Sequence, residues 1–588
     1  THPSVKPRVL TRFEPWMALS FTEGSIGGDI ESIKLGELAR FYGGKAAKVA
    51  AAVHDQEPRG SNGIAIAPGM TKNGKALLLI NPHTSFFFRS ELQMTSGQGL
   101  NAYGAATWGQ FFIYQGFNAK AGWMHTSSGV DSIDEFAETV VTRGSRRQYR
   151  YGQLWRDLAT RPVTIRYRTA SGRMAERRFT TYRSHHGPIV RTDGDKWIAF
   201  AMMHRPVQAL QQSYLRTKAT NLGTFLDVAR LRANSSNNTI FADDRGSIAY
   251  LHAQFVPGRS AVFDYTKPVD GSDPRGDWGA LHGIGDLPNV MNSPTGWVQN
   301  TNNWPYSSAG AFSPKPEHYP RYMDSFGENY RGLHALKLVQ GSKGWTPEGL
   351  QAAAYDSYQP GFAALIPGLV TAWDHAPDGE RKRALAEPIA VLRTWDYRWN
   401  GQSAAQSLAM FWVDAMMKGL DGPADEQINH KTMRLARDTP ADRKLQALGD
   451  AIKRLTSSFG RWQVPWAEIN RFQRISPAID HPFSDEAPSI PLPFASGRWG
   501  SLASVGSEPK PGTKRRYGTS GNSFVAVVEF GPRVRAKAVS AGGESGDPSS
   551  PHFNDQAARY AAGDLRKVYF YPDELNGHVE RTYRPGDR

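Results

Sequence analysis

Hydrophobic and polar positions change their rhythm three times along this chain. Residues 1 to about 60 are polar with helical spacing, and Ala46 to Val53 reads as a helical run. From about 61 to 310 the period shortens to two. Ile64 and Ile66 alternate with Ala65 and Ala67, Asn73-Gly74 supplies a turn, and Ala76 to Ile80 is continuously apolar. Two such runs around Asn-Gly predict a hairpin. Further strands are predicted at Val163 to Arg168, Pro188 to Arg191, Lys196 to Met202 and Ile248 to Phe255. From about 346 to 475 the helical period returns. Thr346-Pro347-Glu348 has the form of a cap followed by proline in the first turn, and Leu385, Ile389 and Leu392 share a helical face. Residues 484 to 501, rich in Pro, Ser and Gly, read as a surface connection, and Ser523 to Phe530 returns to strand. Strands, then helices, then strands again predict an α+β layered fold and not regular βαβ winding.

Composition narrows the chemistry. A chain of 588 residues without cysteine has no thiol nucleophile, thiolate metal site or disulfide. The charge of +15 is spread over the whole length, and the densest clusters, Arg146-Arg147 and Lys514-Arg515-Arg516, are short. That distribution argues against nucleic acid as a partner. No apolar run is long enough to span a bilayer. There is no Walker loop, no His-Glu-x-x-His and no Gly-x-Ser-x-Gly elbow, since Asn522 replaces the last glycine after Gly518-Thr519-Ser520-Gly521. Asp270-Gly271-Ser272-Asp273 reads as a turn. His185-His186, taken as strand neighbours, would point to opposite faces and make a poor metal pair.

The candidate chemistry begins at Gly60-Ser61-Asn62, just before the first strand. A serine hydroxyl there can attack the preceding carbonyl, which glycine leaves unhindered. If the resulting ester hydrolyses, Ser61 becomes an N-terminal residue. It then carries a nucleophile and, in its α-amine of ordinary pKa ~7.7–8.0, a base.

The surroundings of Ser61 resemble the penicillin acylase family of N-terminal nucleophile hydrolases, from about Phe13 to about Leu565. The resemblance is carried by Ser61-Asn62-Gly63 with Asn81-Pro82-His83, and by Gly122-Trp123-Met124-His125-Thr126-Ser127. Asn238-Thr239-Ile240-Phe241-Ala242-Asp243 follows, leading into Gly246-Ser247-Ile248-Ala249-Tyr250. Asn300-Thr301-Asn302-Asn303 and Gly543-Glu544-Ser545-Gly546-Asp547-Pro548 complete it.

The resemblance implies a four-layer αββα sandwich with an appended helical lobe at about 346–475. It implies a precursor cut at Gly60/Ser61 into a small segment, 1–60, and a large one, 61–588, that remain together as a heterodimer. It implies hydrolysis of an N-acyl amide through an acyl-enzyme, with Ser61 as nucleophile and base. His83 falls where members carry Gln or His and would position the nucleophile. The Ser127 N–H and the Asn238 amide would hold the oxyanion, with neighbouring Asn237 as the alternative register, and Arg259 would orient the site. Asp131, Ile133 and Asp134, with Asp29 from the small segment, match a structural calcium site of some members; no organic cofactor is implied. Phe86, Phe87 and Phe88, with Trp108 and Tyr114 in reserve, are candidates to pack the acyl group. The family also implies a periplasmic or secreted location. Sixty residues precede Ser61, where members usually have a longer segment that helps cover the acyl pocket. The competing readings are a non-catalytic ligand-binding protein on the same scaffold and a conventional Ser-His-Asp hydrolase, for which no elbow is present.

Overall fold

The computed structural model describes Glu14, Met17, residues 24–43 and residues 60–584, apart from 88, 108, 419, 421–425, 479 and 480. The run Ala46 to Val53 and the candidates Phe88 and Trp108 lie outside the described residues. Two large sheets form the centre. One has ten strands and contains Gly60–Ile66 between Trp297–Asn300 and Leu77–Ser85; Phe524–Glu529 and Arg516–Asn522 pair with the far side of Leu77–Ser85. The other has seven strands, with Asn237–Asp243 and Ala121–Ser127 at its middle.

Side-chain alternation on these strands builds the layers. A continuous apolar strand is expected where both faces of a sheet are covered. Leu78 and Ile80 point between the sheets, against Met124, Ile240, Ala242 and Tyr250 of the seven-stranded sheet. Leu77 and Leu79 point the other way and join Ile64, Ile66, Val339, Leu350 and Ala353, where the helices Tyr330–Val339 and Pro347–Ala354 cover the sheet. The outer face of the second sheet, with Trp123, Phe241 and Leu251, is covered by Phe225 and Ala229 of the helix Leu222–Ala229. The result is an α+β sandwich of four layers, αββα.

The helical lobe is held by its own core. Leu365, Ile366 and Leu369 of Pro360–Asp374 meet Ile389, Leu392, Trp412, Leu448 and Leu455. Thr346 caps the helix that starts at Pro347 by accepting from the Gly349 N–H at 3.0 Å. Residues 484–501 are more than a surface connection. Leu492, Phe494, Ala495 and Trp499 are buried, because this stretch carries a short strand that pairs with Asn470–Phe472. The strand starting at Ile248 ends at Leu251, and residues 252–255 leave the sheet with their side chains buried.

A smaller four-stranded sheet, made from Asp134–Glu138, Ile189–Asp193, Lys196–Ala201 and Val269-Asp270, carries the segment that precedes Ser61. The helix Leu35–Gly43 lies on it. The Tyr42 hydroxyl donates to the Ile189 carbonyl at 2.8 Å, and Phe41 meets Trp197 edge-on.

Gly63 sets how close the two main sheets approach. A Cβ there would stand 2.8 Å from Ile240 Cγ1 and 3.1 Å from Met124 Cγ. Gly63→Ala is therefore expected to destabilise the fold by about 1–3 kcal/mol through overpacking. Urea unfolding checks this; an unchanged midpoint would show that the sheets can part at no cost.

Candidate active site around Ser61

Strand pairing brings Gly60 opposite His83 and Ser61 opposite Pro82. Asn62 is fully buried. Its amide donates to Asn81 Oδ1 and to the Leu502 carbonyl, both at 2.8 Å, and lies 3.2 Å from His83 Nε2. Asparagine next to the serine thus pins the strand end from within. The Ser61 hydroxyl donates to the carbonyl oxygen of Gly60, the residue whose carbon it would attack.

The Ser61 N–H donates to Asn302 Oδ1 at 2.6 Å. Asn302 has φ +62°, a left-handed backbone that asparagine tolerates better than most side chains. Its neighbours hold that turn. Asn300 Oδ1 accepts from the Asn302 N–H at 3.0 Å, and Asn303 Oδ1 accepts from the Thr301 N–H at 3.0 Å. The other end of the Asn302 amide donates to the Ser127 carbonyl at 3.0 Å. In an antiparallel strand the N–H and C=O of one residue point to the same side. The Ser128 N–H bonds back to Ser236 at 2.9 Å, so the Ser127 amide faces away from that neighbour, to the side of Asn302.

Arg331 closes the constellation. It donates to the Ser61 carbonyl at 2.8 Å, to Asn62 Oδ1 at 2.9 Å and to Asn302 Oδ1 at 2.9 Å. It sits in the first turn of the helix Tyr330–Val339. The N-cap of that helix, Asn329, accepts from the Gly332 N–H and donates to the Thr301 carbonyl at 3.2 Å. Helix cap and asparagine turn are therefore one unit. Burial lowers the Arg331 guanidinium to about 10, which leaves it charged at neutral pH. Burial, then the charge of Arg331, holds His83 well below the ordinary histidine range, so its ring is neutral. A Cβ at Gly60 would stand 3.1 Å from His83 Cβ, which explains why glycine precedes the serine.

The structure thus gathers Gly60, Ser61, His83 and Ser127 with Asn302 and Arg331. It places Asn238 elsewhere. The Asn238 Oδ1 accepts from His252 Nδ1 at 2.8 Å, Tyr250 at 3.0 Å and Gln254 at 3.2 Å, and its Nδ2 reaches Asn300 at 3.5 Å. It supports the asparagine turn one layer below the site. Asn237 bonds to the Tyr114 hydroxyl at 3.1 Å. The signal for Asn302 was present in Asn300-Thr301-Asn302-Asn303, three amides in four residues. Choosing among them needed the turn.

Arg259 is likewise not at Ser61. Its Nε donates to Asp134 Oδ2 at 2.7 Å, and its Nη2 lies 3.7 Å from Asp131. Trp278 also donates to Asp134. Burial lifts Asp131 to about 6 against the opposing pull of Arg259, while the Ile133 amide bonds to its carboxylate. Asp29 accepts from the Ser235 hydroxyl at 2.5 Å. These residues do not fit a calcium cage. The protein's own guanidinium stands on the two carboxylates, where a divalent cation would meet like charge, and Ile133 engages Asp131 through its N–H.

The described acyl-pocket candidates, Phe86, Phe87 and Tyr114, pack against the protein's own side chains. Phe86 packs on Tyr560 and Phe472 with centroids 5.6 and 5.7 Å apart, Phe87 lies under the Arg474 guanidinium, and Tyr114 contacts His125. None of them lines the cavity that opens on Gly60 and His83. That cavity, about 270 Å³, is walled by Tyr330, Ile428, Met433, Ser496 and Arg498. Arg498 also borders the adjoining hollow that contains Asp414 and Met410. Among the described residues no acceptor lies within hydrogen-bonding distance of its guanidinium. Sequence reasoning missed this wall, because it comes from 428–433 and 496–498, far along the chain from Ser61.

The geometry separates the two asparagines. Asn302→Ala is expected to lower kcat by about 10²–10³, the scale of one lost preorganised contact at the reacting group, because it releases the Ser61 nitrogen and the Ser127 carbonyl. Asn238→Ala strands three buried polar groups and is expected to show its cost, about 1–3 kcal/mol, in stability. Turnover and urea unfolding of both variants check this; the reverse pattern would put Asn238 at the chemistry.

Comparison with known proteins finds relatives over most of the chain. A family model described as penicillin amidase matches residues 6–577. The acyl-homoserine lactone acylase PvdQ of Pseudomonas putida is 25% identical over 95% of this chain and 75% of its own length. Penicillin G acylase of Escherichia coli is 28% identical over 42% of this chain and 29% of its own. The solved structure of a thermostable penicillin G acylase from Alcaligenes faecalis superposes with a TM-score of 0.63 at 19% identity, covering 89% of this chain and 99% of that one.

Proposed function

This chain belongs to the penicillin amidase family and is an acylase of that kind; on that premise we propose that it cuts itself before Ser61 and then hydrolyses an N-acyl amide with the serine so exposed. The observation that carries the proposal is the position of Ser61. Its hydroxyl lies on the Gly60 carbonyl and its nitrogen on Asn302. In processing, Ser61 Oγ bonds to the Gly60 carbonyl carbon and the C–N bond breaks, giving an ester and a free amine on Ser61. Water cleaves the ester. The same nitrogen, still facing Asn302, is then the base that takes the hydroxyl proton. Burial and the Arg331 charge both disfavour its ammonium form.

In turnover Ser61 attacks the substrate carbonyl and the Ser127 N–H holds the oxyanion, while Asn302 fixes the Ser61 nitrogen through its Oδ1 and the Ser127 end through its Nδ2. The Ser61 amine passes its proton to the leaving amine, and water releases the acyl group. His83, neutral beneath Gly60, shapes the floor of the site. The pre-Ser61 segment remains as a partner chain, consistent with the contacts of Tyr42 and Asp29 with the large segment. No described helix is long and apolar enough to cross a membrane. A heterodimer in the periplasm or outside the cell is the location that membership of the family suggests.

Mass spectrometry of the purified protein is expected to show two fragments, the larger beginning at Ser61. Ser61→Ala is expected to abolish both processing and turnover of N-acyl amides. An active uncut chain would overturn the mechanism.

The cavity wall bears on substrate choice. Arg498 lines the same cavity as Gly60, and its guanidinium has no hydrogen-bond acceptor among the described residues. Acyl groups or amines carrying a carboxylate are therefore expected to be preferred over neutral ones. Arg498→Gln is expected to raise KM for such substrates about tenfold, the scale of one charge-assisted hydrogen bond, and to leave self-cleavage intact. Equal KM for charged and neutral substrates in the unmodified enzyme would contradict this.

A further inference from the structure

We propose that His185, His186 and Asp277 form a binding site for a transition-metal ion, zinc being the best fit, remote from the Ser61 chemistry. Read as a strand, the two histidines would point apart. The structure instead puts them in the bend between the strands Met174–Arg183 and Ile189–Asp193, with ring centroids 3.8 Å apart. Asp277 joins them from the end of the one-turn helix Pro274–Gly276. One nitrogen from each ring and one carboxylate oxygen lie within 4.8 Å of one another. His186 Nε2 is 3.0 Å from Asp277 Oδ1, and His185 Nε2 is 3.6 Å from Asp277 Oδ2. Ligand atoms about 2.0–2.1 Å from a tetrahedral zinc are separated by about such distances.

The far side of each ring is already committed. His186 Nδ1 faces Glu138 Oε1 at 2.8 Å, and His185 Nδ1 faces the Tyr149 hydroxyl at 3.1 Å. The His186 ring lies flat on Phe136, with centroids 3.9 Å apart and planes 5° from parallel. A carboxylate on the outer nitrogen of a histidine is the usual support of a metal ligand, since it fixes the tautomer and raises the basicity of the other nitrogen. With its Nδ1 proton directed to Glu138, His186 turns the Nε2 lone pair toward the Asp277 carboxylate. Two electron-rich atoms at 3.0 Å need a proton or a metal ion between them. Glu138 is fully buried and its Oε2 has no hydrogen-bond partner among the described residues.

The donor set names the ion class. Two imidazoles and one carboxylate suit zinc and its neighbours in the first transition row, and calcium and magnesium prefer oxygen alone. The side chains of His185 and Asp277 are about a third exposed, 31% and 29%, which leaves an entry path and a fourth position for water. The ion would tie the 185–186 bend and the 274–278 turn to the strand Asp134–Glu138, in the small sheet that carries the pre-Ser61 segment. Tyr151, which donates to Asp277 at 2.5 Å, steadies that carboxylate.

The test uses the full chain, stripped with a chelator and titrated with Zn²⁺, and in parallel with Co²⁺ as a spectroscopic probe. About one equivalent of zinc per chain is expected, with a rise in Tm and the visible bands of four-coordinate cobalt. His185→Ala, at a half-exposed position, is expected to abolish that equivalent while keeping the fold by circular dichroism. Glu138→Gln is expected to weaken zinc binding about 10–100-fold without changing its stoichiometry. Two results would overturn the site. One is a zinc equivalent that survives both His185→Ala and Asp277→Asn, which would put the ion elsewhere. The other is no bound metal in excess Zn²⁺, which would show that a hydrogen bond, not an ion, joins His186 to Asp277.

Discussion

The start of the Ser61 strand is held by one buried cation. Taking a guanidinium out of water costs several kcal/mol unless its donors are met. Arg331 meets them with the Ser61 carbonyl, Asn62 Oδ1 and Asn302 Oδ1. These acceptors belong to two separate stretches of chain, so the guanidinium can be satisfied only when the stretches are in register. The same contacts put Asn302 on the Ser61 nitrogen and exclude any other pairing of the asparagine turn with the strand.

The rest of the fold serves that register. Gly63 lets the two sheets close on Ile240, which brings the Ala121–Ser127 strand and its last amide under Asn302. The Asn329 cap fixes the first turn of the helix that carries Arg331. His83 stays neutral because it is buried and, second, because it shares its pocket with the Arg331 cation. Electrostatic preorganisation here means groups fixed by packing before substrate arrives, and that is where most rate enhancement of this type originates.

A second guanidinium plays a structural part. Arg259 bridges Asp134 and Asp131, and Trp278 reaches the same carboxylate. These side chains thereby form one buried cluster beside the small sheet. Breaking a buried pair of this kind leaves an uncompensated charge, which explains why these three side chains are found together. One residue away from Trp278, Asp277 faces the two histidines, so the 274–278 turn links both charged clusters.

Much was legible in the amino-acid order. Period-two alternation gave the hairpin and its two-faced burial, the return of helical spacing located the lobe, and Gly60-Ser61-Asn62 with the downstream motifs identified the family. These are local patterns, and local patterns follow from backbone geometry. The contents of the site beyond Ser61 were decided by tertiary structure. Asn302 replaces Asn238 at the serine because a left-handed turn aims one amide of Asn300-Thr301-Asn302-Asn303 at a residue 241 positions away. Arg331 and not Arg259 is the site's cation because a capped helix delivers it, and Arg259 is held by acids. His185 and His186 face together because a bend, not a strand, contains them. In each case the hydrogen bonds join segments far apart in the chain, and spacing along the sequence carries no information about which of several identical side chains the fold will turn inward.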